Sequence, residues 1–399
     1  MVVKSILDTD LYKFTTSYAY MKLFPNAEGT FSFIDRDNTE YDEEFILMLN
    51  MELLNLYSLS LSIEEKDYMI ANCRFIPAVY WEWLSSFKFD PSRVVISLDE
   101  NKHLNIDVTD SLYKVTLYEV PILAIVSEVR NAWLSNTPDS NWKQRLYDKV
   151  QMSNQHALPF SEFGTRRRFS YEVQESVCIY LKRYATFCTG TSNCYLAMKC
   201  SMKMMGTHPH EWFMFHGAQY GYKQANYMAL ENWVNVYDGD LGIALTDTYT
   251  SEVFLKNLSR KQAKLFDGVR HDSGDPYKFI NRVITRYKEL GVDPATKTII
   301  FSNALTFPDA LEIMQYCGGR IRCAFGIGTN LTNDTGNKPS NIVMKLVRCR
   351  MTKAQPWFNC VKLSDDLGKH TGQKKEVEHC INELRLCNGS MTKLQLSMK

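Results

Sequence analysis

The sequence predicts an α/β protein. An array of parallel βα units, whose number favours a closed barrel over an open sheet, follows a smaller α+β domain. Three observations predict this. Between Leu158 and Leu331 a short apolar run leads into a polar turn seven times, and a helical pattern usually follows. The polar turns carry nearly all of the glycine-, arginine- and histidine-bearing motifs, as expected where ligand chemistry gathers at the carboxyl ends of parallel strands. Residues 1–112 lack this alternation and mix helices with a hairpin. We therefore expect an N-terminal domain over 1–112, joined by 340–399, and a barrel over 113–339.

The elements follow from period and punctuation. Leu11–Phe24 is helix-like and stops before Pro25, and Ala27–Ile34, with Thr30, Phe31 and Phe33, reads as a strand. Asp42–Leu61 and Ile63–Asn72 are helical. Pro77–Phe87 is an aromatic-rich helix whose Trp81, Trp83 and Phe87 belong to the core, and Val94–Leu98 and Leu104–Val108 form a hairpin around Asn101. Tyr113–Val120 alternates like a strand, Pro121–Trp133 continues as a helix, and Ser135–Asn154 extends a helical hairpin. The seven apolar runs are Leu158–Phe163, Ala185–Thr189, Met202–Met205, Gly242–Leu245, Ala263–Phe266, Thr298–Phe301 and Ile321–Phe325. A single long helix is expected from the third turn through Trp233. Asn341–Arg348 reads as a strand, and the polar tail from Lys369 as solvated or packed on the N-terminal domain.

Composition narrows the class of function. Among 399 residues, 46 Lys+Arg balance 45 Asp+Glu, which provides no general electrostatic footprint for nucleic acid or membrane, and neither partner is expected. The 11 cysteines are scattered without a Cys-x-x-Cys pair. Cys188, Cys194 and Cys200 recur every six residues but lack the histidine pattern of a zinc site, so they read as structural thiols. The odd count and an N-terminus without an apolar leader point to a reducing, cytoplasmic compartment. Phe45–Ile63, the richest apolar stretch, is interrupted by Asn50, Glu52 and Asn55 and reads as a buried-face helix rather than a membrane span.

Five motifs carry chemistry. Phe163-Gly-Thr-Arg-Arg-Arg168 sets guanidinium forks after a strand; Arg166 is the candidate for phosphate or carboxylate, while Arg167 and Arg168 read as a solvated charge run. Gly190-Thr-Ser-Asn193 opens a helix, where backbone amides favour anions. Gly206-Thr-His-Pro-His-Glu211 holds two histidines without an evident third metal ligand. His210 reads equally as a histidine satisfied by hydrogen bonds or as a phosphoryl nucleophile oriented by Glu211. Phe266–Pro276 places Arg270, His271, Asp272 and Asp275 within six residues, with Asp275-Pro276 starting a helix. Gly326-Ile-Gly-Thr-Asn-Leu331 has Leu331 where a dinucleotide fingerprint needs its third glycine, and suits a single sugar phosphate. No Gly-Lys-Ser/Thr is present, which excludes a P-loop. Together these motifs describe an anionic, phosphate-bearing small substrate near carboxylates able to carry Mg²⁺.

The assembled series resembles the nicotinate phosphoribosyltransferase family. The resemblance rests on Leu7-Asp-Thr-Asp-Leu-Tyr-Lys13, Phe163-Gly-Thr-Arg-Arg-Arg-Phe-Ser170, Gly190-Thr-Ser-Asn193, His210-Glu-Trp-Phe213, Gly242-Ile-Ala-Leu-Thr-Asp247, Arg270-His-Asp-Ser-Gly-Asp-Pro276 and Phe325-Gly-Ile-Gly-Thr329, in family order over nearly the whole chain. It implies an irregular TIM-like α/β barrel beside a second domain, in a homodimer with shared active sites. The implied reaction joins nicotinate to phosphoribosyl pyrophosphate with Mg²⁺, coupled to ATP through a phosphohistidine at His210. The resemblance also assigns Tyr12, reaching across from the neighbouring subunit, and Phe163 to the pyridine ring. Arg166 and Arg270 fall near substrate carboxylate and phosphates, Asp272 near the ribose, and Gly326 and Gly328 along the sugar phosphate; Thr165, Asp247 and Thr329 lie in matched binding motifs. It demotes His271.

Two positions bear on the substrate. Ser192 stands where the related nicotinamide enzyme has an aspartate, which favours the acid, because a hydroxyl donates to a carboxylate that a second carboxylate would repel. Asn303 stands where relatives commonly have aspartate. The alternatives are a nicotinamide or quinolinate phosphoribosyltransferase and a catalytically silent homologue that binds phosphoribosyl pyrophosphate.

Overall fold

The computed structural model of the chain describes residues 1–366 and 369–386. Its strands are β1 (Glu28–Asp35), β2 (Val94–Leu98), β3 (Leu104–Ser111), β4 (Phe160–Glu162), β5 (Cys188–Thr191), β6 (Ile243–Leu245), β7 (Gly268–His271), β8 (Thr298–Phe301), β9 (Arg322–Ile327), β10 (Ile342–Arg350) and β11 (Phe358–Asn359). They form two sheets. One is antiparallel, in the order β11-β10-β1-β3-β2, and the other is parallel, in the order β5-β4-β9-β8-β7-β6. The α/β class expected from the sequence is what the chain forms.

The parallel order is chain order taken as a ring, with β9 returning to β4. The interruption falls between β5 and β6. There the expected strand Met202–Met205 contributes a single parallel bridge, Thr191 to Met204. The segment then runs into helix His210–Tyr220, which Gly221 (φ +80°) separates from helix Tyr222–Tyr237, so the single long helix expected there is two.

Two further expectations fail for identifiable reasons. Tyr113–Val120 is helical, with Leu112–Val115 and Thr116–Tyr118 leading into helix Glu119–Trp133. Leu112, Val115, Leu117, Tyr118 and Val120 are all buried, and a run buried on every face has no helical period to read. Ala263–Phe266 belongs to helix Arg260–Leu265 rather than to a strand, because Ser259 and Gln262 form a capping box at its start. The strand is β7, two residues later, so Arg270 and His271 lie on it rather than in a turn beyond it.

Among the described residues, the tail from Lys369 to Leu386 packs on the parallel-sheet side as well as near the antiparallel sheet rather than standing free in solvent. Helix Lys374–Glu383 buries Val377, Cys380 and Ile381, and Tyr222 Oη donates to Glu376 (2.5 Å). Residues 387–399 of the expected tail lie outside the described residues. Among the described residues no single helix is long and apolar enough to cross a membrane.

Arg168, expected in a solvated charge run, is instead completely buried. Its guanidinium meets Asp8 in a fork (2.7 and 3.0 Å) and donates through Nε to Glu128 (2.6 Å), with Gln174 and the Val2 carbonyl taking further bonds. It thereby ties the N-terminal segment to helix Glu119–Trp133 and to the turn after β4. Truncation would strand two buried carboxylates. Arg168→Met is therefore expected to lower unfolding free energy by about 3–5 kcal/mol, read from urea denaturation midpoints at pH 7.

Candidate active site

The carboxyl ends of the parallel strands open on a cavity of about 900 Å³, and β10 of the antiparallel sheet also lines it. Tyr12, Phe163, Arg166, Ser192, His210, Arg270, Asp272, Asn303, Gly326, Gly328 and Thr329, all singled out in the sequence, line this one space. Two candidates do not. Thr165 is fully buried and accepts hydrogen bonds from Gln174 (3.0 Å) and Asn193 (3.3 Å), a packing role. Asp247 is buried behind His210, with its Oδ1 3.8 Å from the imidazole Nε2.

At the aromatic end, Phe163 approaches Gly326 so closely that a Cβ there would fall 2.4 Å from its ring, which explains the glycine. Tyr12 lines the cavity of its own chain, so a ring that the resemblance brings from a neighbouring subunit is already present here. The Arg166 guanidinium lies over it, 5.2 Å from the centroid, with Nε 3.4 Å from Asp10. The Ser192 hydroxyl donates to the other oxygen of Asp10 (2.7 Å).

His210 begins helix His210–Tyr220. Its Nδ1 faces the Thr248 hydroxyl (3.1 Å), while Nε2 faces both Asp272 (3.0 Å) and the Lys362 ammonium (2.9 Å). A neutral ring satisfies one of these at a time. With its proton on Nε2 it donates to Asp272; with its proton on Nδ1 it donates to Thr248, and the Nε2 lone pair faces Lys362. Burial pushes the imidazole down to about 4, and Lys362 adds to the shift, so the ring is neutral at pH 7. Glu211, expected to orient this ring, turns away to Lys13 and Thr116. The other histidines stand apart from this site: His208 packs against Trp233 and Phe266, and His271 between Phe279 and Phe301.

Arg270 supports the site through three side chains, donating to Ser302 (2.7 Å), Thr207 (2.8 Å) and Asp272 (2.6 Å). Burial acts to raise the Asp272 carboxyl, but Arg270 and His210 outweigh it and hold the group well below the usual carboxylate range. Asp275 caps helix Pro276–Glu289 by accepting from the Tyr277 and Lys278 amides, the structural half of its motif.

Three lysines were missed. Lys345 on β10, Lys362 after β11 and Lys369 all line the cavity. Burial, with Lys362 nearby, pushes Lys345 down to about 7. Lys369 donates to Asn303 (3.1 Å), placing an ammonium beside the residue that departs from the expected aspartate. A signal existed: Cys360-Val-Lys-Leu-Ser-Asp-Asp366 is another apolar run ending in a polar turn. Its Asp365 and Asp366 accept from the backbone amides of Ser251 and Gly274, which docks the segment on the turns that follow β6 and β7.

The His210 titration tests this electrostatic assignment. Lys362→Met removes the cation that disfavours imidazolium while leaving Asp247 and Asp272 in place. The NMR titration midpoint of His210 is expected to rise from about 4 toward the ordinary value near 6.5.

Comparison with known proteins agrees with this geometry. Residues 7–127 match the N-terminal domain of the nicotinate phosphoribosyltransferase (NAPRTase) family, and residues 158–387 match the family itself. The chain is 42% identical over 387 residues to the nicotinate phosphoribosyltransferase of Desulforapulum autotrophicum, covering 96% of this chain and 99% of that one. It is similar to the crystal structure of the enzyme of that name from Porphyromonas gingivalis (51% identity, TM-score 0.94, 96% of this chain and 100% of that one). The Vibrio cholerae structure is also similar (32% identity, TM-score 0.91, covering 99% and 97%). The chain belongs to the nicotinate phosphoribosyltransferase family.

Proposed function

We propose that this enzyme of NAD salvage transfers the phosphoribosyl group of phosphoribosyl pyrophosphate to nicotinate, and that ATP drives the transfer through a phosphohistidine at His210. The observation that carries the reading is the cavity's lining. Two aromatic rings, Tyr12 and Phe163, line the same space as a cluster of cations around a neutral imidazole.

The pyridine nitrogen attacks the anomeric carbon of the ribose. The new C–N bond forms as the C–O bond to pyrophosphate breaks, and positive charge builds on the sugar. The nitrogen is already a nucleophile, so positioning and charge stabilisation replace a general base. Asp272 faces the developing sugar cation. Lys345, Lys362, Lys369 and Arg270 face the departing anion, while Gly326, Gly328 and Thr329 take the 5′-phosphate. Arg166 holds the nicotinate carboxylate. Asp10 is occupied by Ser192 and Arg166, so it is not left to accept an amide N–H; this favours nicotinate over nicotinamide.

The second tautomer of His210, with its free Nε2 lone pair, supports the proposed ATP coupling. The Nε2 lone pair attacks the γ-phosphorus, the P–O bond to ADP breaks, and the phosphohistidine is later hydrolysed to phosphate. Mg²⁺ fits the same place. Asp247 Oδ1 is buried without a hydrogen-bond partner, and Asp272 supplies a second hard oxygen donor. These two carboxylates would hold the ion, which supplies positive charge to the phosphate oxygens. The homodimer belongs to the same proposal. Because Tyr12 lines its own chain's cavity, other residues would have to be shared across that dimer.

Pyrophosphate release from nicotinate and phosphoribosyl pyrophosphate, with and without ATP, tests the reading. Wild type is expected to turn over and to be stimulated by ATP; His210→Ala should lose the stimulation entirely, and full retention would refute the phosphohistidine. Ser192→Asp places a second carboxylate beside the base. It is expected to raise the nicotinate KM by about tenfold or more, roughly 1.4 kcal/mol of lost binding, while sparing nicotinamide.

A further inference from the structure

We propose that Lys13 is a positioning residue that ties the base pocket to the helix carrying His210, so that the state of that histidine is felt at Tyr12 and Arg166. This rests on the reading of His210 and of the base pocket given above.

Lys13 is wholly buried, and two carboxylates from different elements share its ammonium. Glu119, at the start of helix Glu119–Trp133, is one; its other oxygen lies 3.7 Å from Arg166 Nη1. Glu211 is the second. It follows His210 in the first turn of helix His210–Tyr220, and its other oxygen accepts from Thr116 (2.5 Å). Lys13 itself neighbours Tyr12 in helix Leu11–Leu23, with its Nζ 5.1 Å from the Tyr12 ring centroid. Tyr20, about two turns further along that helix on the same face, donates to the Glu211 carbonyl (3.3 Å). The chain of contacts therefore runs from the residue beside His210, through Lys13, to both groups around the base.

The two carboxylates are not equivalent. Burial raises both, but at Glu119 the charges of Lys13 and Arg166 outweigh it and the group is lowered, whereas Glu211 remains raised. A buried triad of this kind is costly to desolvate, and an apolar side chain of similar volume would pack as well. What the ions add is fixed position. A phosphoryl group on His210 brings nearly two negative charges to a helix N-terminus, where they are stabilised, and draws the first turn toward it. Any shift of that turn moves Glu211, and with it the one ammonium that Glu119 also needs.

The test measures nicotinate KM with and without ATP, and product formed per ATP hydrolysed. In the wild type ATP is expected to lower nicotinate KM. In Glu211→Gln, which keeps shape and loses charge, the KM without ATP should stay within about twofold of wild type. The ATP-induced fall should be lost, and ATP hydrolysed per product should rise at least about fivefold. Lys13→Arg, which preserves the cation, should retain coupling. If Glu211→Gln does not fold, Thr116→Val, which removes the hydroxyl that donates to Glu211 and accepts from Lys13 (3.3 Å) and leaves all three charges in place, carries the same test. Retention of the ATP effect in Glu211→Gln, or in Thr116→Val where that variant replaces it, overturns the relay. So does an equal rise in KM under both conditions, the mark of a purely structural role. Wild-type turnover that ATP leaves unchanged overturns the relay while sparing the transfer reaction; absence of any pyrophosphate release overturns the transferase reading and the relay together.

Discussion

Asp272 is the group on which the site's geometry depends. One of its oxygens accepts from Arg270 and from Ser302 (2.6 Å each), and the other faces His210 (3.0 Å). It thus joins the end of β7, the end of β8 and the start of the histidine helix. A carboxylate this enclosed is stable only while its partners stay charged and in place. The converse also holds: Arg270, Ser302 and His210 are each oriented by an acceptor that cannot move without breaking several bonds. The site is set by its own polar network before any substrate enters.

Much of this was legible because local chemistry and global fold agree. Five of the expected strands in the parallel array overlap β4, β5, β6, β8 and β9, while β7 lies just beyond the run expected to form it, and the polar turns that follow converge on one cavity. Glycine and proline made several boundaries readable. Asp275-Pro276 starts a helix, and Gly326 is required by the ring of Phe163. Eleven of the thirteen candidate residues line the cavity, since a polar residue just past a parallel strand has few other places to point.

The rest was hidden for physical reasons. Arg168 looks no different in sequence from Arg166, and only the fold shows that Asp8, 160 residues away, completes its pairing. Glu211 adjoins His210 in the chain, but successive helical residues point about 100° apart, so adjacency was a poor guide to contact. Lys345 lies on a strand of the antiparallel sheet, outside the parallel array whose turns carry the motifs. Lys362 follows an apolar run beyond that array, and Lys369 opens a polar tail that reads as solvated whether or not it docks.

These lysines also determine how the cavity responds to anions. Lys345 is lowered to about 7 by burial and by the neighbouring charge of Lys362, so near neutral pH a fraction of it is uncharged. An anion bound beside it supplies the opposing charge that burial withholds, which raises its affinity for a proton. Binding of a phosphate-bearing ligand and uptake of a proton at Lys345 are therefore linked, each favouring the other by the same free energy. His210 behaves in the opposite sense. Its proton is excluded first by burial and then by the charge of Lys362, which together keep the imidazole a neutral nucleophile. The lysines thus gather anionic oxygen at the cavity, and one of them, Lys362, adds to the burial that keeps the imidazole neutral.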